Sequence, residues 1–288
     1  MDIPISEIFP QIIYGLVIAG TVYILYMIVE IIWRSYLAYG ASKITVFPMT
    51  TNMSKVFYQD PSNPLSVYLP VSQNQLTGIE FSYSTFIYVS DSTFTNNTAP
   101  QKWSTVFYKG YESGPFPLCG PGVFVSSDAN NNPVLRVIMN SYNSWFNKVD
   151  VTQIPINKWF HLVIVLSSNN TLNVYINGNL ANKLVLDGTI AYQNYQPLHL
   201  LPPVKTLTTT DFDNSSSTAN HLRGIPPGET FVISGPITGY VSNVFYYSYA
   251  IGYAEIQALL HMGPSSKMDT LSMVTPPYLI DTWWTQQK

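Results

Sequence analysis

The chain has 288 residues, 10% of them charged and 46% hydrophobic, with a formal net charge of −3. That length suffices for one large β domain, or two small ones, plus an anchor. The charge supplies no basic stripe to neutralise phosphates, which excludes a nucleic-acid binder. The single cysteine, Cys119, excludes an intramolecular disulfide and points to a reducing compartment.

From Ile12 to Val29 eighteen residues run without a charge, and Glu-Ile-Ile-Trp follows. About 20 apolar residues cross a bilayer as a helix, so residues 12–33 predict one membrane span in contact with lipid. Asp2 and Glu7 precede it and no Lys or Arg does, unlike a cleaved signal peptide. Arg34, Lys43 and Lys55 follow it, which places the large C-terminal part on the cytosolic side. Four sequons, at Asn52, Asn96, Asn169 and Asn214, are chance triplets in an Asn- and Thr-rich chain on this reading. Residues 1–36 are thus the anchor and 37–64 a linker; the stretch 35–75, kept extended by prolines, reads as a linker that becomes a first strand.

Strands follow. Residues 78–90 alternate apolar and polar side chains, 102–110 repeat the pattern, and 111–122 read as a Gly/Pro loop. Residues 123–141 read as two strands joined by an Asx turn at Asp128–Asn132. Within 148–188 Phe160, Leu162, Ile164 and Leu166 fall on one face, and Leu172, Val174 and Ile176 do the same on the next strand. Asn177-Gly178 is the strongest short hairpin signal, because a type I′ turn needs positive φ at both central positions. On this pattern Tyr175 and Asn173 face outward.

Residues 201–236 form a polar insertion punctuated by prolines. A strand follows, then a short helix with Ile256, Leu259 and Leu260 on one face and Gly263 as its stop. Residues 266–288 are an extended tail, whose Trp283 and Trp284 are candidates for docking on the domain or on a partner.

Strands every 8–12 residues with turn signals predict an all-β sandwich. The segment around Trp159, His161, Tyr175, Asn177 and Gly178 resembles the centre of laminin-G-like, concanavalin A-like domains. The closing strand and helix with Glu255 and Ile256 fit the same family, and the likeness covers about Leu65 to Gly263. It implies a two-sheet antiparallel jelly roll over residues 65–265, in which these seven residues are structural and His161 is packed or hydrogen-bonded.

Some relatives of this fold are glycosidases, which place two carboxylates about 5–5.5 Å apart for retention. The glucanase Glu-x-Asp-x-x-Glu signature is absent, and the close acidic pair, Asp211 and Asp213, lies in the polar insertion. The four histidines show no metal-ligand spacing, and Cys119 has no motif partner. No enzyme is therefore expected, and no cofactor other than calcium, for which Asp128 and Asn130, or else Asp211 and Asp213, are the candidates. Asp211 and Asp213 are further candidates for interaction.

The leading expectation is a single-span membrane protein presenting the sandwich as an interaction or structural module. Its partners would be other proteins, such as capsid shell proteins if the membrane is the internal membrane of a virion. The rival is a cell-surface receptor that binds carbohydrate.

Overall fold

A computed structural model describes residues 5–63, 66–72, 79–94, 102–111, 118–144, 146–186, 191–203 and 231–269. The chain divides into two compact units, Met1–Ile44 and Thr45–Lys288.

The first unit is helix α1, Ile5–Ser42. Its 38 residues are about 57 Å long at 1.5 Å per residue, well beyond the expected span. The apolar stretch Ile13–Trp33 has no buried residue. The hydroxyl of Thr21 donates to the carbonyls of Val17 and Ile18 at 2.9 Å each, so even this polar group is satisfied within the helix.

The second unit is a sandwich. Its strands are β1 (Lys43–Thr51), β2 (Lys55–Phe57), β3 (Phe81–Val89), β4 (Lys102–Gly110), β5 (Cys119–Ser127), β6 (Pro133–Met139) and β7 (Asn147–Thr152). They continue with β8 (Trp159–Ser167), β9 (Thr171–Ile176), β10 (Asn179–Val185), β11 (Leu198–Leu200), β12 (Val232–Pro236) and β13 (Gly239–Tyr247). Helix α2, Tyr253–Met262, closes the domain. Sheet 1 has the order β1-β13-β3-β8-β9-β10, and sheet 2 the order β2-β11-β4-β5-β6-β7. β12 pairs in parallel with the start of β4, while the other neighbouring pairs from β2 to β13 are antiparallel.

The core lies between the sheets. Tyr83 pairs with Ile164, and Ile164 with Val174, which sets one buried row across three strands of sheet 1. Tyr83 meets Phe107 of sheet 2 at 6.2 Å between ring centroids and Tyr246 at 5.0 Å. Phe107 pairs with Val123, and Val123 with Val137, continuing that layer.

The outer faces of both sheets carry cores of their own. On sheet 1, Val163, Val165, Phe245 and Tyr247 pack with Ile251, Ile256 and Leu259 of the α2 segment. This second covering explains why β8 is apolar at almost every position, since a strand buried on both faces loses alternation. It also corrects the expectation for Tyr175, which is half-buried against this cluster rather than facing solvent. On sheet 2, Trp103, Phe124, Ile138 and Phe146 pack with Phe231 and Ile233. The Arg136 guanidinium lies 4.0 Å from the Trp103 ring and is held by Asp150 at 2.7 and 2.8 Å.

Residues 37–64, expected to be a linker, supply β1 and β2 instead. Thr50 and Asp269 meet through the backbone, with the Asp269 N–H donating to the Thr50 carbonyl at 2.7 Å. Lys55 and Asp269 form an ion pair at 2.6 Å. Pro48 in β1 hides the strand from a local reading, and the sheet edge is where proline is tolerated. The expected Gly/Pro loop ends early, because β5 begins at Cys119.

Candidate functional site

The hairpin residues are tied into the backbone and the core. Asn177 and Gly178 have φ of 49° and 78°, the left-handed values of a type I′ turn. The Asn177 side-chain oxygen accepts the His161 N–H at 2.9 Å, and the Asn177 N–H donates to the His161 carbonyl at 2.9 Å. His161 is fully buried, bonded through Nε2 to the Ser84 hydroxyl at 2.8 Å and stacked on Phe86 at 4.6 Å. Its Nδ1 has no hydrogen-bond partner among the described residues. Burial pushes its pKa down to about 4, so the ring is neutral at physiological pH. Trp159 sits edge-on to Tyr88 at 5.8 Å, with Tyr240 beyond. Glu255 caps α2, accepting the Gly252 N–H at 2.9 Å and the Tyr249 hydroxyl at 2.6 Å. Ile256 is fully buried beneath it.

The calcium candidates form a turn. One Asp128 carboxylate oxygen accepts the backbone N–H of Asn130 and of Asn132 at 2.8 Å each, and the other accepts the Asn132 side chain at 3.0 Å. These bonds, led by the Asn132 side chain, hold its pKa below the usual carboxylate range. Among the described residues no three His, Cys, Asp or Glu side chains gather as metal ligands. Asp211, Asp213, Trp283 and Trp284 lie outside the described residues.

A cleft that the sequence did not suggest opens beside sheet 2. Tyr58, Gln59, Asp60, Tyr68, Tyr195 and Pro197 enclose about 330 Å³. Its first wall is the loop leaving β2. The Val67 N–H donates to the Tyr58 carbonyl at 3.0 Å, and the Asn63 N–H to the Asp60 carbonyl at 3.1 Å. Gln59 braces this loop by donating to the Val67 carbonyl at 3.1 Å and accepting the Leu69 N–H at 2.9 Å. One Asp60 oxygen accepts both the backbone N–H (2.9 Å) and the hydroxyl (2.8 Å) of Ser62. Those bonds hold the Asp60 carboxyl below its ordinary range and keep it charged.

The second wall is the approach to β11. Asn194 is buried and donates its side-chain amide to the Lys109 carbonyl at 2.9 Å, while its side-chain oxygen accepts the Gln196 N–H at 3.0 Å. The Lys109 ammonium, 2% exposed, donates back to the Asn194 carbonyl. The Gly110 N–H donates to the Pro197 carbonyl at 3.1 Å. Burial pushes the Lys109 pKa down to about 7. This buried polar knot fixes Tyr195 and Pro197, leaving Tyr195 66% exposed opposite Tyr68 at 59%. More than 120 residues separate the two walls, so no local motif marks the cleft. The only signal in the sequence is tyrosine clustered with proline and amides, which also describes ordinary turns.

Residues 64–201 match the family model of the concanavalin A-like lectin/glucanases superfamily. The two antiparallel sheets agree with that match: the fold is a concanavalin A-like sandwich. Similar solved structures include the binding domain of Paraclostridial Mosquitocidal Protein 1, at 12% identity and a TM-score of 0.41, covering 76% of this chain and 42% of that one. A native heptameric SAP-like pentraxin from Limulus polyphemus aligns at 12% identity and 0.42, covering 79% of this chain and 85% of that one. The receptor binding domain of botulinum neurotoxin D aligns at 13% and 0.42, covering 77% and 52%. The chain thus spans about half the length of the two toxin domains. No curated protein matches the sequence.

Proposed function

We propose that the protein is a non-enzymatic, membrane-anchored interaction module, with α1 in the bilayer and the sandwich presented to a partner. The observation that carries this reading is the helix. Every large apolar side chain from Ile13 to Trp33 is exposed, none of them less than 41%. A contiguous apolar surface of that size requires lipid or a partner. Extraction at alkaline pH tests it: the chain stays with the membrane pellet, whereas release into the supernatant defeats the anchor.

The setting we favour is an internal viral membrane, where the sandwich ties that membrane to the capsid shell as a minor capsid protein. The flanking charges and the lone buried cysteine support a cytosolic sandwich. Cross-linking in intact particles joins the sandwich to a shell protein on this reading; a freely diffusing monomer in host membranes defeats it. The sequon at Asn169, exposed in the β8–β9 turn, favours a second reading, a carbohydrate-binding receptor with the sandwich outside the cell.

A further inference from the structure

We propose that the cleft of Tyr58, Tyr68, Tyr195 and Asp60 binds a quaternary ammonium group of the choline type. This goes beyond the anchoring role and does not depend on it. Three tyrosine rings and a carboxylate line the cleft beside Gln59 and Pro197, with no Lys, Arg or His among the lining residues. Aromatic faces attract cations through their quadrupoles, and caged quaternary ammonium ions are the best-developed case. Asp60 supplies a full negative charge, and its second carboxylate oxygen has no hydrogen-bond partner among the described residues.

The choice of an alkylated over a primary ammonium follows from the donors and acceptors. A primary ammonium brings three N–H donors and a strong hydration shell, which one carboxylate cannot replace. A quaternary ammonium has no N–H to satisfy and asks only for faces and charge. Of the three rings, Tyr68 and Tyr195 are exposed and Tyr58 is half-buried, which leaves aromatic surface open to the cleft. The Gln59 braces tie the first wall to Val67 and Leu69, and the Lys109–Asn194 knot holds the second, which reduces the ordering cost of binding. About 330 Å³ is near the lower end of small-molecule sites and suits a head group. An anionic ligand would meet Asp60 with no cation among the lining residues.

Titration calorimetry of the full chain in a polyoxyethylene micelle, with choline chloride as the probe, tests this. Choline saturates one site. Its neutral carbon isostere, with a tert-butyl group in place of trimethylammonium, binds at least about tenfold more weakly. Tyr195→Leu and Asp60→Asn each weaken choline several-fold. Submicellar short-chain phosphatidylcholine asks whether the same group is read on a lipid: competition with choline supports a lipid source, and binding of choline alone supports a free one. Equal binding of the neutral isostere overturns the proposal, as do variants that leave choline affinity unchanged. A neutral oligosaccharide that saturates the cleft while choline does not would overturn it in favour of a carbohydrate site.

Discussion

Gln257, on α2, donates its side-chain amide to the carbonyl of Gly178 at 3.2 Å and thereby ties the closing helix to the tip of the β9–β10 hairpin. The two residues are 79 apart in the chain. A Cβ placed on Gly178 would lie 2.4 Å from the Gln257 amide nitrogen, and the Gly178 φ of 78° is one that L side chains rarely adopt.

Gly178→Ala is expected to destabilise the domain by about 1–3 kcal/mol, chiefly through backbone strain, since the flexible Gln257 side chain can move aside. Gln257→Ala removes one half-buried hydrogen bond and costs about 0.5–1.5 kcal/mol. Urea unfolding of both single variants and the double variant gives the coupling. Because the Gly178→Ala variant already displaces Gln257, the two losses are less than additive.

His161 makes the fold sensitive to acid. Its pKa is near 6.5 in the unfolded chain and about 4 in the folded one. Between those values the unfolded state binds the proton first, so stability is complete above about pH 6.5 and falls as pH drops toward 4. The loss from this group is about 3 kcal/mol. Chemical denaturation across that window shows the slope, and His161→Phe flattens it while lowering stability at neutral pH by stranding the Ser84 hydroxyl.

Lys109 acts at the other end of the scale. Its folded pKa of about 7 lies below the unfolded value of 10.5. Through that interval the unfolded state holds the proton and the folded state has released it, so stability rises with pH. Lys109→Met abolishes the rise. It also removes the bond to the Asn194 carbonyl, and hydrogen exchange in residues 194–197 quickens even where global stability is unchanged.

Asp150→Ala removes the carboxylate that holds the Arg136 guanidinium, which is 7% exposed in its side chain and packed on Trp103. Removing one partner of a buried pair costs about 3–5 kcal/mol. Asp150 itself is 35% exposed, so the expected loss is reduced to about 2 kcal/mol. Thermal unfolding measures it, and Asp150→Glu recovers most of the loss.

The parts legible in the sequence are those specified locally. The β9–β10 hairpin follows from the alternation of Leu172, Val174 and Ile176 and from Asn177-Gly178, and α2 from its apolar spacing with Gly263 as its stop. What remained hidden depends on distant partners. β1 is concealed by Pro48 and secured by Thr50 against residues 267–269. Tyr175 reads as outward-facing because its covering comes from α2, more than 75 residues later. The cleft needs three tyrosines from two segments brought together by β2 and β11, and nothing in either segment alone distinguishes it from a turn.

Protease protection and glycosylation in microsomes test the central claim most directly, that α1 anchors a sandwich on the cytosolic side. Asn169 is exposed in the β8–β9 turn, so its sequon is accessible to the lumenal machinery if the sandwich is translocated. The expected result is a membrane-bound chain whose sandwich is digested by added protease and whose mobility is unchanged by endoglycosidase. A protected sandwich carrying a glycan at Asn169 would contradict it.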